Sequence, residues 1–327
     1  MNLKLTTVHH KKITFLFSLL ILATTISCKE EKVKENHLDY KMVTSDLDNF
    51  WKAFDALENS KDSVETIQRM YIDKASPEFK KFLELRDFTA GHYVGWIRSV
   101  PNFWKTVRPL TLAVKDKKDE IDEVYETMSK LYDGFYPPDI CFAISPLQTG
   151  GTTDDQLILL GTEIVAINPD AVDISNIHGF FKKVFENMTG DITALVAHEL
   201  VHTHQPHGDN ENSSLLSQAI TEGSADFIGS LILGKLTLSP AIYKYGEQHE
   251  KELWVEFQAD IKSNKGFDET DWFYNYNSDR PADLGYYLGY KIAESYYNTS
   301  KDKKMAVKEI LETQDEHSFL LKSNYGK

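Results

Sequence analysis

The segment AHELVHTHQP sets His198, Glu199 and His202 in an H-E-x-x-H pattern. On a helix, residues i and i+4 share a face one turn apart, so two imidazole nitrogens can aim at one ion about 2.0 to 2.1 Å from each. Glu199 stands beside them. Without being a ligand it can reach a water that such an ion activates, which is what a general base for hydrolysis must do. Ile192, Leu195, Val196 and Leu200 make this helix largely apolar, and polar groups buried without partners are costly. Pro206 stops the helix soon after His202. Zinc is the metal expected here.

A catalytic zinc needs a third protein ligand and one open position. The metzincin pattern asks for Gly at 205 and His at 208, where this chain has Gln205 and Gly208, with His204 and His207 out of register. The gluzincin pattern asks for a glutamate on a second helix. Glu222 lies 20 residues after His202, in ITEGSADFIG, at a thermolysin-like spacing. Asp226 follows on the same face, where it can accept the other ring N–H of a ligand histidine. Gly223, Ser224, Ala225 and Gly229 are small enough to let this helix approach the first. Hydrolysis also needs a donor for the developing oxyanion. Tyr286 and Tyr290 are the candidates, one turn apart beside Gly285 and Gly289; the alternative is an aromatic stripe in the core. Arg280 either points into the cleft or forms a loop salt bridge ahead of Pro281.

The order of an export signal, a helical first half, a Gly-Gly-Thr-Thr loop, HELVH, EGSAD and RPADLGYYLGY resembles the DUF2268 family of predicted zinc-dependent proteases over most of the mature chain. The resemblance implies a gluzincin-like metallopeptidase fold acting on a peptide or protein. Its ligands would be His198, His202 and Glu222, its base Glu199 and its outer partner Asp226. The Gly-Tyr-x-x-Gly-Tyr layout is similar to a segment of thimet-type oligopeptidases whose tyrosines face the substrate. Some gliding-motility lipoproteins of the Bacteroidetes also look related. That keeps a second reading open, a catalytically silent metallopeptidase-like lipoprotein that serves as a binding or assembly component.

These residues must be positioned by helices and a small sheet. Leu47, Phe50, Trp51, Phe54 and Leu57 fall at spacings of three and four, as do Phe79, Phe82 and Leu83, which predicts a helical region over 43–135. Within it Ile121, Val124, Tyr125, Met128 and Leu131 mark a helix that Gly134 and Pro137 stop. Ile140 to Ile144 and Leu157 to Ile167 read as strands on either side of a loop at Gly150 to Thr153. By analogy the second of these lies next to the metal helix, where an edge strand could pair with an extended peptide; the pattern leaves open which strand is the edge. Helices are expected over 174–187, 191–204, 213–234, 239–263, 282–298 and 302–313. The class is α+β and mostly helical, with 136–327 as the metallopeptidase-like region.

The 327 residues include 12% aromatics and two cysteines, which excludes a disulfide-stapled miniprotein and a disordered chain. Lys4, Lys11 and Lys12 precede an uncharged apolar run from Ile13 to Ile26. At 14 residues the run is shorter than the roughly 20 that span a bilayer, so it reads as a secretory signal over 1–27. Ser27-Cys28-Lys29-Glu30-Glu31 resembles a bacterial lipobox and a surface-export signal of Bacteroidetes lipoproteins, with Thr25 where the lipobox pattern has Leu, Val or Ile. The expectation is a lipid on Cys28, a charged tether over 28–42 and a membrane-anchored place in the cell envelope, with the export-like signal pointing to the surface of the outer membrane. Cleavage after Ser27 removes three lysines and no acid, leaving 33 basic and 50 acidic side chains, a formal charge of −17. No basic stripe remains for nucleic acid. With Cys28 acylated no disulfide is available to Cys141, which reads as a small core residue. His204 and His207 are expected on the surface or the cleft rim.

Overall fold

The computed structural model describes residues 38–206, 213–275 and 280–327. The signal, Cys28, most of the tether and His207 lie outside the described residues. The chain joins the fold before the expected end of the tether at 42. Tyr40 donates its hydroxyl to Asp122 at 2.7 Å, and β1 (Met42–Val43) pairs in parallel with β2 (Asp139–Ala143).

Between these strands run α1 (Ser45–Ala56), α2 (Ser63–Met70), α3 (Pro77–Arg86), α4 (Ala90–Ser99), α5 (Pro101–Ala113) and α6 (Lys118–Leu131). Side-chain caps start several of them. Asp62 accepts from Glu65 N–H, Ser76 from Phe79 N–H and Thr89 from His92 N–H, each meeting a backbone donor that the first helical turn leaves without a partner. Their buried faces bring Phe50, Tyr71, Phe79, Tyr93 and Trp104 together as an aromatic core against the sheet. Tyr71 and Tyr93 both donate to the Ile144 carbonyl, where β2 ends.

The sheet is completed by β3 (Gly151–Asp154) and β4 (Leu157–Gly161), in the order β1-β2-β4-β3. This corrects the expected loop and decides which strand is the edge, which the pattern left open. The Gly-Gly-Thr-Thr segment is largely a strand, antiparallel to β4 with Gly151 opposite Leu160, and it forms the sheet edge. β4 is interior, bonded to β2 on one side and β3 on the other. The apolar run to Ile167 also stops being a strand at Gly161 and becomes a short helix, α7 (Thr162–Val165). A run buried on all sides carries no period that separates strand from helical turn. What bends it is Glu163, a wholly buried carboxylate that accepts from Ser145 N–H, Ser145 Oγ–H and Leu147 N–H.

The second half is helical: α8 (Phe180–Glu186), α9 (Ile192–His202), α10 (Leu215–Leu233), α11 (Pro240–Lys262), α12 (Leu284–Thr299), α13 (Lys303–Leu311) and α14 (Glu316–Ser323). α8 begins six residues later than expected, after Gly179 with φ 62°. α10 packs along both α9 and α12. A Cβ on Gly223 would lie 2.1 Å from the Tyr290 backbone nitrogen, and one on Gly289 would lie 1.7 Å from the Ala219 carbonyl oxygen. The small face at Gly223 therefore receives α12 rather than α9. Gly229 is the glycine turned toward α9, near Ala197. The buried side chains form one core from Leu47 to Phe319, so helices on both sides of residue 135 share it. The expected class, α+β and mostly helical, is what the chain adopts.

Candidate metal centre

α9 starts at Asp191, whose carboxylate accepts from Ala194 N–H and Thr193 Oγ–H. The helix runs through the core with Val196, Leu200 and Val201 wholly buried. His198 and His202 emerge on one face, with their Nε2 atoms 3.0 Å apart. α10, capped by Ser214 on Ser217 N–H, brings Glu222 to them. Its Oε2 lies 3.3 Å from each Nε2. Four ligands about 2.05 Å from a tetrahedral zinc stand about 3.3 Å from one another. The two nitrogen–oxygen separations match that edge, and the nitrogen pair is shorter by a few tenths of an ångström. Among the described residues these three side chains form a group able to hold a metal ion.

Each of the three has a partner on its far side. His198 Nδ1–H donates to Asp226 Oδ1 at 3.1 Å, and Asp226 in turn accepts from Thr237 Oγ–H. His202 Nδ1–H donates to Gln205 Oε1 at 2.7 Å, while Gln205 Nε2 donates to the Thr221 carbonyl on α10. Gln218 donates to Glu222 Oε1 at 3.1 Å. With Nδ1 protonated in both rings, Nε2 presents its lone pair to the centre, the tautomer a metal needs. Asp226 lies behind His198, at the position expected of it. Gln205 and Gln218 were not anticipated, although Gln218 lies four residues before Glu222 on the same helical face and Gln205 lies three residues after His202, in the turn that follows α9.

The electrostatics of these three side chains fit the same candidate role. Burial pushes the imidazolium forms of His198 and His202 down, but Asp226 and Glu222 outweigh it and hold both histidines above their ordinary value. Burial would raise Glu222, yet the two histidines hold it far below the usual carboxylate range. A metal entering here displaces protons from the rings. Glu199 behaves differently. Burial pushes its carboxyl up against the pull of His202, His198 and Arg86, the direction a general base near neutral pH requires. Its side chain lies beneath the sheet edge: a Cβ on Gly151 would come within 2.3 Å of Glu199 Oε1.

The two tyrosines separate. Tyr286 stacks on His198 with ring centroids 6.2 Å apart and planes 21° from parallel. Burial, followed by the charge of Glu222, holds its hydroxyl protonated. Tyr290 packs on Phe227 and Tyr243 instead, so it belongs to the core stripe and does not reach the ligands. Crossing α10 at Gly223 fixes the α12 backbone so that the two rings leave toward different neighbours. Arg280 pairs with Glu256 at 2.8 Å and covers the Trp272 ring, which is the loop salt bridge. His204 is not at the rim. It is buried, stacked on Tyr136 and Phe135, and bonded to the Leu200 carbonyl. Cys141 is buried in β2, and desolvation drives its thiol far up, which suits a core residue.

Residues 175–317 match the model of DUF2268, described as a predicted Zn-dependent protease. The match is narrower than the expected likeness over most of the mature chain. It holds His198, His202 and Glu222 with Glu199, Asp226 and Tyr286, and leaves out the sheet and the first seven helices. No curated protein and no solved structure matches the chain.

Proposed function

We propose that this chain is a zinc metallopeptidase of the cell envelope, held at a membrane by lipid on Cys28, that cleaves peptide bonds with activated water. The observation that carries the peptidase reading is Glu199, a buried carboxylate with raised pKa beside three converged ligands and under an open strand edge. A purely structural ion would use none of this. Zinc on His198, His202 and Glu222 supplies a Lewis acid that brings the pKa of water to about 7. Glu199 accepts the water proton and passes it to the leaving nitrogen. An extended peptide pairs with the free edge of β3, which sets its carbonyl near Glu199. Tyr286 donates its hydroxyl hydrogen to the oxyanion.

Glu199→Gln tests the turnover. It leaves all three ligands, so zinc stays near one per chain, while peptide hydrolysis falls by about 10² to 10⁴-fold, the usual worth of a general base. Wild-type protein that holds zinc and cleaves nothing in a broad peptide library, with full complementation in cells by Glu199→Gln, would favour the binding lipoprotein instead.

The membrane part rests on the lysine-rich start, the apolar run and Cys28. Among the described residues no helix is long and apolar enough to cross a membrane. Cys28→Ser should move the protein from the membrane fraction to the soluble one, since acyl chains contribute about 0.8 kcal/mol per buried CH₂. Unchanged fractionation would remove the lipid anchor from the reading.

A further inference from the structure

The turn that feeds the open sheet edge is built on a buried acid. β2 ends at Ala143, and Ser145 to Thr149 carry the chain round toward β3, which starts at Gly151. Leu147 stands in this turn with φ 53°, a conformation that side chains rarely adopt and that persists only where neighbours hold it. Glu163 does the holding. Its carboxyl accepts from Ser145 N–H at 3.0 Å and Leu147 N–H at 2.8 Å, and Glu163 and Ser145 are both wholly buried. The far end of the turn leads to Glu199. Thr149 Oγ–H donates to the Gly151 carbonyl at 2.7 Å, Gly161 N–H donates to the Gly150 carbonyl at 2.9 Å, and Gly151 lies against the Glu199 side chain.

This chain of contacts is short of one hydrogen. Ser145 Oγ lies 2.7 Å from the Thr149 carbonyl oxygen and 2.9 Å from Glu163 Oε1. A hydroxyl carries one hydrogen, and neither a carbonyl nor a carboxylate can donate. Both contacts are hydrogen bonds at once only when Glu163 is the neutral acid, giving its O–H to Ser145 Oγ while Ser145 gives its own to Thr149. An ionised Glu163, its proton passed to solvent, draws the Ser145 hydrogen to itself, because bonds to a charged acceptor are the stronger ones. Thr149 then loses this donor. Gly161 keeps the groups within reach, since a Cβ there would lie 2.1 Å from the Thr149 carbonyl oxygen and 2.4 Å from Ser145 Oγ.

The surroundings leave the charge of Glu163 without help. Tyr71 and Tyr93 meet the Ile144 carbonyl beside it, and burial keeps both phenols neutral, with Asp46 acting on each in the same direction. α5 and β4 pack on α7. β4 has no ionisable side chain, and on α5 Lys105 is exposed while Arg108 pairs with Asp55. On α9 the nearest acid across the strand edge is Glu199.

Resting on the peptidase reading above, we infer that Glu163 is a positioning residue for Glu199, acting as the neutral acid through Ser145 and Thr149 to fix the edge strand, and that its ionisation releases that edge. Burial pushes the carboxyl up to about 7, so the two arrangements exchange near neutral pH. The edge is fixed below that value and loosens as pH rises through it.

The test reads the acid and the edge apart from turnover, in the full-length zinc-loaded protein. Infrared difference spectra between about pH 6 and about pH 8 should show a protonated-carboxyl band that is lost at the higher pH. Wild type and Ser145→Ala should have this band, and Glu163→Gln should lack it. Amide exchange of β3, corrected for the intrinsic effect of pH, should show protection about fivefold lower at the higher pH in the wild type, the order of one hydrogen bond. Glu163→Gln has no charge to draw the hydroxyl, and Ser145→Ala has no hydroxyl to relay, so neither should show this step. In peptide hydrolysis, kcat/KM of the wild type should fall through the same window, and Glu163→Gln should lose that part of the fall. If Glu163→Gln fails to fold, the wild type and Ser145→Ala decide. No protonated-carboxyl band in the wild type, equal protection at the two pH values, a step that persists in either variant, or matching pH profiles of hydrolysis in wild type and Glu163→Gln would overturn the inference. The exchange step in a protein that cleaves no peptide would keep the link from Glu163 to the edge and remove the peptidase reading.

Discussion

Replacing Gly151 by alanine adds one methyl group at the place where the sheet edge meets Glu199, the proposed general base. Built on the present backbone, the new Cβ lies 2.3 Å from Glu199 Oε1, 2.7 Å from its Cδ and 3.0 Å from its Cγ. An ordinary carbon–oxygen contact needs about 3.4 Å, so the carboxylate or the strand must give by about 1 Å. The side chain is the softer of the two, because β3 is held by its ladder to β4. Moving a reacting group by about 1 Å costs on the order of 10²-fold in rate. Hydrolysis by Gly151→Ala should therefore fall by about 10²-fold. Zinc content should stay at the wild-type value, since Gly151 touches no ligand in this set of contacts. Stability should change little, because alanine in a strand loses less backbone entropy than glycine. The assay is kcat/KM on one peptide beside metal analysis. The double variant with Glu199→Gln separates this mechanism from a general disturbance of the edge. If the methyl group acts only by displacing Glu199, the double variant is no slower than Glu199→Gln alone. Undiminished turnover in Gly151→Ala, or a further 10²-fold loss in the double variant, would refute the placement of Glu199 under β3.

The ligand set is tested by two substitutions one helical turn apart. Glu222→Ala leaves two histidines and should abolish tight zinc binding, whereas Asp226→Ala removes only the acceptor behind His198 and should weaken affinity about 10 to 100-fold; competition with a chelator distinguishes them, and a Glu222→Ala protein still fully loaded would exclude this third ligand. Glu163 sets a pH dependence of stability, since burial pushes its carboxyl from 4.5 up to about 7 against the pull of the Leu147 and Ser145 N–H groups. Between those pH values the folded chain keeps a proton that the unfolded chain has released, so stability falls as pH rises through this window, by about 3 kcal/mol in all, and levels off above it. Denaturation midpoints from pH 4 to 8 should show this slope in the wild type and a flatter one in Glu163→Gln; identical slopes would rule out Glu163 as its source.

The chemistry was legible in the sequence wherever it depends on spacing along one helix. His198, Glu199 and His202 need only the helical repeat to share a face, and the same repeat puts Asp226 one turn beyond Glu222. The apolar period likewise marked α6 almost to the residue, over Lys118–Leu131. That Glu222 meets the histidines was legible only through its spacing in a known pattern, because the meeting itself depends on α10 lying against α9. What tertiary structure alone decided concerns residues brought together from distant segments. Strand order made β3 the edge and β4 the interior, since pairing partners are chosen by neighbours that no local pattern names. The buried carboxylate of Glu163 turned an apolar run into a helix at Gly161. The crossing at Gly223 and Gly289 sent Tyr286 to His198 and Tyr290 to the core, though both sit on the same helical period. Gly151 above Glu199 joins the site through space. Periodicity reports which side of an element is buried; only packing determines what that side is buried against.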